Sequence, residues 1–378
     1  MAQVIVDARQ WQNMFDLRTG RKLEIESPTN RMVRDVLHRY PYPGDTDHRS
    51  NRWVSEVALD LIRIYRPQLV CLSYAQQYFT SRFSSLTPLE HEGMLDQVFK
   101  EVEKFIERSG YTPVIVGTGD MTELVGDIDL GGTDGLCLSS AWSARYAGLS
   151  EPSERDLIQV RSHPGIERVV SREEWADLFA DIPYERDRTP DYLLVARPGR
   201  AFRTVVTPIR RAVRIPGENF AVPVVTDLGT VDDIIGLKTL IEQNLEATNI
   251  ALIVVEGVGL RNFPWPNHTC SNGRGWFYYE PGETQYLTIT TGSHQVFAYP
   301  AGFLDLYDDE EYPFSGFLRE VPRQTLGREF DGRSIAVGNR SMYTHMVYGA
   351  DICVECFARN LYNQGSMAVI HREKEGWR

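Results

Sequence analysis

QLVCLSYAQQYFTSRFSSLTPLEHEGMLDQVFKEVEKFIERSGYTPVIVGTGD, residues 68–120, decides how this chain folds. Its two ends, QLVCLSY at 68–74 and TPVIVGTGD at 112–120, are nearly continuous apolar runs, the pattern of strands buried on both faces. Between them Thr87-Pro88 opens a helix that runs through Arg108, with Met94, Val98, Val102 and Phe105 on one face and Gly110 after its end. A strand, a long helix and a second strand predict a parallel pair joined by a right-handed crossover.

The alternation extends outward on both sides. VIVDA at 4–8 reads as a strand, and Trp53 to Tyr65 repeats apolar residues at helical spacing until Pro67 stops it. Residues 121–150 are glycine-rich and irregular, and 151–190 are polar with short helical signals, expected to cover the sheet before the strand PDYLLVA at 190–196. Six arginines between Arg197 and Arg214 mark a composition shift, with a candidate boundary near Pro216. Beyond it come the strand VPVVTD at 222–227, the helix VDDIIGLKTLIEQN at 231–244 and the strand NIALIVVEG at 249–257. A helix is expected at 350–362 and a strand at 367–371. The fold class is therefore α/β, a mainly parallel sheet between helix layers. The halves 1–215 and 216–378 either form two lobes or complete one sheet.

Composition narrows the partners. The 378 residues carry 40 basic and 52 acidic side chains, a net charge of −12, without any run of five or six Lys/Arg, so nucleic acid is not the expected partner. No stretch approaches 18 apolar residues, and the beginning MAQVIVDARQ reads as a strand, so no membrane partner is expected. Five cysteines without framework spacing fit a reducing compartment and a cytoplasmic location. A small-molecule substrate is expected, with a homo-oligomer as a further expectation.

In a parallel α/β sheet ligands sit outside the carboxyl ends of the strands, so acids that end apolar strands are the first candidates. Asp7, Asp120, Asp227 and Glu256 do so, either as metal ligands and bases or as caps for the following helix. The densest cluster, Thr226-Asp227-Leu228-Gly229-Thr230-Val231-Asp232-Asp233, resembles the Asp-x-Asp-Pro-Gly-x-Asp-Asp motif of nucleoside hydrolases, with Val225 where the first aspartate is expected. That resemblance implies an N-glycosidase with Asp227, Asp232 and Asp233 around calcium. The alternative reading is a helix start favoured by its dipole.

A second resemblance comes from NIALIVVEGVGLRNF followed by ETQYLTITTGSHQVFAYP. An apolar strand ending in an acid, then a Thr before a Thr-Gly turn, resembles the opening of the alkaline phosphatase-like superfamily. YRPQLVCLSY, the long helix and GYTPVIVGTGDM resemble a later part of that fold, so the elements stand in permuted order. The resemblance implies a three-layer sandwich and a hydrolase acting on a phosphate or related ester, with a divalent ion, zinc, magnesium or calcium. It implies Glu256, Asp120, His345 and Asp227 as metal ligands, Thr291 as nucleophile or substrate anchor, and His294 as ligand or proton carrier. Where the superfamily has Asp-x-x-x-His this chain has Ala75-Gln76-Gln77-Tyr78-Phe79, and where it has Asp-His-Gly this chain has Gly117-Thr118-Gly119-Asp120. A third reading is an α/β scaffold without catalysis that binds a ligand or oligomerises.

Two smaller patterns complete the candidates. Cys353-x-x-Cys356 with His268-x-Cys270 supplies four soft ligands, enough for a tetrahedral zinc, with buried apolar thiols as the alternative. Ser139 to Tyr146 places hydroxyls, rings and Arg145 together in a way that suits an anion or sugar, and Trp276 and Tyr278 belong to an aromatic stretch suited to a pocket or an interface.

Overall fold

The computed structural model describes residues 4–7, 14–16, 21–23, 38–139, 145–174, 190–203, 212–218, 220–272, 288–289, 292, 334–338 and 352–355. Its main element is an eight-stranded mixed sheet in the order β1-β18-β17-β4-β15-β5-β14-β16. These strands are β1 (Val4–Asp7), β4 (Leu69–Tyr74), β5 (Thr112–Gly117), β14 (Ala221–Val225), β15 (Ile250–Val255), β16 (His268–Ser271), β17 (Ser334–Gly338) and β18 (Ile352–Glu355). The sheet thus takes strands from both sides of Pro216.

The apolar runs become its centre. Every residue of β4 and β15 is buried, because both faces are covered and no alternation is required. On one face Val70, Leu72, Tyr74, Ala251, Ile253, Val255 and Ile115 pack against two helices, α1 (Ser50–Tyr65) and α3 (Pro88–Ser109). The first of these helices offers Trp53, Val54, Val57, Ala58 and Leu61, and the second Leu95, Val98, Phe99, Val102 and Phe105. Thr87 caps α3 in a reciprocal capping box with Glu90, Pro88 occupies its first turn, and Gly110 ends it at a φ of 69°. Between β4 and α3 lies the short helix α2 (Gln76–Phe83).

The sheet is mainly parallel, as expected, and strand direction reverses at one place. β14 runs antiparallel to β5, with Val224 opposite Val116 and Val225 opposite Ile115, and β16 returns antiparallel beside it. Apolar content alone reads the same in either direction, so the run 222–227 gave no signal of its orientation. The helix expected from 231 begins later, as α5 (Gly236–Asn244). Residues 232–234 instead bridge to β16: Ser271 N donates to Asp232 O, and Ile234 N donates to Ser271 O. The helix expected at 350–362 is strand β18 over its described part, because Ile352, Cys353 and Val354 pair in parallel with β1 on one side and β17 on the other. The strand expected at 367–371 lies outside the described residues.

The stretch between β5 and β14 forms structure of its own rather than a simple cover. A four-stranded antiparallel sheet, β10-β11-β9-β8, contains β8 (Leu136–Ser139), β9 (Tyr146–Ser150), β10 (Ile166–Ser171) and β11 (Tyr192–Ala196). The helix α4 (Glu154–Ser162) contributes Val160 to a core with Leu149, Ile166, Leu194 and Phe202. Two short ribbons adjoin it, β7 (Gly126–Ile128) with β12 (Arg200–Phe202), and β6 (Met121–Glu123) with β13 (Arg214–Pro216), and a further ribbon pairs β2 (Met14–Asp16) with β3 (Arg21–Leu23). Among the described residues no helix is long and apolar enough to cross a membrane.

Candidate functional site

The carboxyl ends of β4, β15 and β5 lie side by side, since Tyr74, Val255 and Gly117 share one register row. Two of the three residues that follow are polar and buried. Glu256 is 1% exposed and Thr118 is 2% exposed, while Ser73, one row back, is fully enclosed. Ser73 Oγ donates to Glu256 Oε1 at 2.6 Å, and Gly257 N donates to Thr118 Oγ1 at 2.9 Å. Gln77, at the start of α2, joins two strand ends: its Nε2 donates to Tyr74 O at 2.6 Å and to Glu256 O at 2.7 Å. Its Oε1 accepts from Asn51 Nδ2 at 3.0 Å, and Asn51 Oδ1 accepts from Gln76 N at 3.3 Å. Buried polar groups are stable only when paired, so this network fixes the corner between β4 and α2.

Asp120 stands on the same rim, one strand over. Its Oδ1 accepts from Gly259 N and from Asn262 Nδ2, each at 2.8 Å, and its Oδ2 accepts from Arg261 N at 3.4 Å. The carboxylate therefore anchors the turn that leaves β15. Close approach requires glycine there, since a Cβ on Gly259 would lie 2.6 Å from Asp120 N. Gly257, at a φ of 72°, leaves room for Tyr78 and Met121, which a Cβ would meet at 3.3 Å.

Beside the strand ends, α2 packs against the β6–β13 ribbon. Met121 packs against Ala75, Tyr78 and Phe79, and Val213 N donates to Arg82 O. Asp120 O accepts from Gly217 N at 2.9 Å, and Gly217 O accepts from Arg145 Nη1 at 3.1 Å. Arg145 is buried just before β9, with Glu218 Oε1 3.9 Å from its Nη2. Arg82 is buried as well and donates to Tyr78 Oη. Burial holds the imidazole of His91 below its usual range, the Arg214 charge adds to this, and the Asp120 charge opposes it.

The predicted site residues separate in this frame. Glu256 and Asp120 come to a common rim, linked through the 256–262 turn. Asp7 ends β1 on the same edge, in the register row of Glu355, Gly338 and Ser73, four strands from β15. Asp227 is elsewhere. Because β14 is antiparallel, Asp227 follows it at the opposite end of β5, on the order of 15 Å from the Glu256 rim at 3.3 Å per residue. Thr291, His294 and His345 lie outside the described residues, as do Trp276 and Tyr278.

The acidic donors near the rim are already engaged. Both oxygens of Asp120 already accept N–H donors, Glu256 accepts from Ser73, and Asp233 Oδ1 accepts from Ile235 N. Among the described residues no group of three or more His, Cys, Asp or Glu is placed to hold a metal ion, so the described part of the donor set does not fit a divalent ion. The zinc constellation also separates: Cys353 in β18 and Cys270 in β16 are six strand spacings apart, roughly 29 Å. Cys270 is a buried free thiol instead.

Ser73, Gln77 and Asn51 carry the rim and were not singled out from sequence. The available signal was polarity at a strand end and in the helix after it, since Ser73 interrupts an apolar run and Gln76-Gln77 follow it directly. No protein-family model matches this chain, and neither a curated protein nor a solved structure matches it.

Proposed function

We propose that this chain is an α/β scaffold that binds a small polar molecule at the carboxyl rim of β4, β15 and β5, without a metal-dependent reaction carried by Asp120 and Glu256. The observation that carries this reading is the engagement of Asp120 by Gly259 N, Arg261 N and Asn262 Nδ2, which makes it an anchor for the turn after β15. The rim is where open α/β sheets take ligands. Hydroxyls of Ser73 and Thr118 and the Glu256 carboxylate supply its hydrogen-bonding chemistry. The finer architecture in this proposal is a three-layer sandwich with α5 opposite α1 and α3. The full burial of Leu237 and Ile241 in α5, and of both faces of β4 and β15, supports it. The free buried thiols Cys71 and Cys270 agree with a cytoplasmic location.

One observation favours a second reading, the phosphate-ester hydrolase that resembles the alkaline phosphatase-like superfamily. Glu256 ends an inner strand of the parallel part of the sheet, and Asp120 stands beside it on the neighbouring strand. Under this reading Thr291, His294 and His345 supply the chemistry, and a divalent ion would polarise the ester.

The two are separated by incubating the protein with phosphomonoester and phosphodiester substrates under zinc, magnesium or calcium, alongside metal analysis and a thermal-shift screen of small polar molecules. The scaffold reading expects a ligand-dependent rise in melting temperature that Thr118→Val weakens, with no turnover. Metal-dependent turnover abolished by Thr291→Ala would replace it with the hydrolase.

A further inference from the structure

Arg145 is 7% exposed, yet only part of its guanidinium is engaged. Nη1 donates to Gly217 O at 3.1 Å, whereas Nε is buried and, among the described residues, has no hydrogen-bond partner. Nη2 stands 3.9 Å from Glu218 Oε1, beyond hydrogen-bond distance, and the Glu218 side chain is 62% exposed. The Tyr146 ring lies 5.7 Å from Cζ, a cation–π contact that occupies neither nitrogen. Nε and Nη2 share one edge of the guanidinium, the edge that takes two parallel oxygens of a carboxylate or phosphoryl group. Burying a charged donor without an acceptor is costly, so this edge gains most from a partner that brings both oxygens and a negative charge.

The position is held from two sides. Ala196 N, at the end of β11, donates to Arg145 O at 2.8 Å, and Gly217 N donates to Asp120 O at 2.9 Å. Backbone already fixed in this way lowers the ordering cost of binding. We propose that the Nε–Nη2 edge of Arg145 is a binding site for the carboxylate group of a small molecule, with Glu218 as the side chain that yields to it. The charges acting on the adjacent Tyr146 hydroxyl are those of Arg145, Glu167 and Glu218. One cation beside two carboxylates disfavours a dianion such as phosphate and matches a singly charged carboxylate. Displacing Glu218 costs little, since an exposed ion pair contributes little. The site goes beyond the rim reading, because it shares no side chain with Ser73, Thr118 and Glu256.

The experiment titrates the full chain with acetate and benzoate, against inorganic phosphate and chloride at matched ionic strength. Binding is read from melting temperature and from the Arg145 Nε–H signal in proton–nitrogen correlation spectra. The carboxylates should shift that signal saturably, phosphate less, and chloride not at all. Arg145→Lys keeps the charge without the fork and should weaken carboxylate binding by about tenfold or more, as expected for losing one charge-assisted hydrogen bond. Glu218→Gln removes the competing carboxylate and should tighten binding by about threefold. Glu218 is exposed, so this variant decides the matter even if Arg145→Lys disturbs the fold. An Nε–H signal that neither carboxylate moves overturns the site, as does Glu218→Gln binding no more tightly than the unaltered chain. A stronger response to phosphate overturns the carboxylate assignment. Carboxylate binding kept in full by Arg145→Lys and lost in Thr118→Val overturns this site and leaves the rim reading standing.

Discussion

Asp120 and Asp227 occupy the same kind of place in the sequence, each just beyond an apolar strand, and opposite places in the molecule. Asp120 follows a strand of the parallel set and meets the turn after β15 at a crowded rim, with its carboxylate accepting from three donors. Asp227 follows the antiparallel strand β14 and is exposed at the other edge. The difference teaches that a strand-terminal acid acquires meaning from strand direction. At the carboxyl rim it faces backbone amides leaving the neighbouring strand, and at the other rim it faces water.

The comparison is broken most severely by removing the amide that ties the rim together. Gln77→Ala leaves the carbonyls of Tyr74 and Glu256 and the Asn51 amide without their partner, and is expected to lower stability by about 4 kcal/mol, read from urea midpoints. Next comes the direct contrast between the two acids. Asp120→Ala should lower stability by about 2–3 kcal/mol, whereas Asp227→Ala should stay within about 0.5 kcal/mol. Equal effects would show that the rims do not differ as described.

Two titrations sharpen the picture with smaller effects. Burial pushes the Cys270 thiol up to about 12 from 9.0, assisted by the carboxylates of Asp233 and Asp232. Its stabilising contribution is complete below about pH 9, the range of an unfolded thiol, and is lost as the pH rises from there toward 12. Cys270→Ala should therefore flatten the alkaline fall in stability. The smallest effect concerns His91, whose imidazole burial and Arg214 hold below 6.5 against the pull of Asp120. Stability tied to its neutral ring is full above about pH 6.5 and declines as the pH falls below it. In a proton NMR titration Arg214→Gln should raise the midpoint and Asp120→Asn should lower it further. A midpoint insensitive to both would remove these charges from the His91 environment.

Much of the central fold was legible. Continuous apolar runs named β4, β5, β14 and β15 because strands covered on both faces need no polar alternation, and Thr87-Pro88 with Gly110 marked the limits of α3 by capping chemistry. β17 was missed, since SIAVG is short and its strand character depends on β4 and β18 at its sides. β18 was misread as a helix for the same reason, and of the four-stranded antiparallel unit only β11 was read as a strand, the rest as an irregular or covering stretch. At the site, Asp120 and Glu256 were legible as strand ends, whereas the roles of Ser73, Gln77 and Asn51 were not. Hydrogen bonds spanning 26 residues, as from Asn51 to Gln77, or 183, as from Ser73 to Glu256, leave no mark in local spacing.

The sequence by itself determined the strands and helices whose signals are local: apolar runs, 3.6-residue periodicity, a proline stop and glycine ends. Tertiary structure alone decided the direction of β14, the separation of Asp227 from Asp120, and the engagement of Asp120 and Glu256 in the framework of the rim. Strand polarity and long-range hydrogen bonds are fixed by which backbone edges remain to be paired once the core has collapsed, and that is a property of the whole chain.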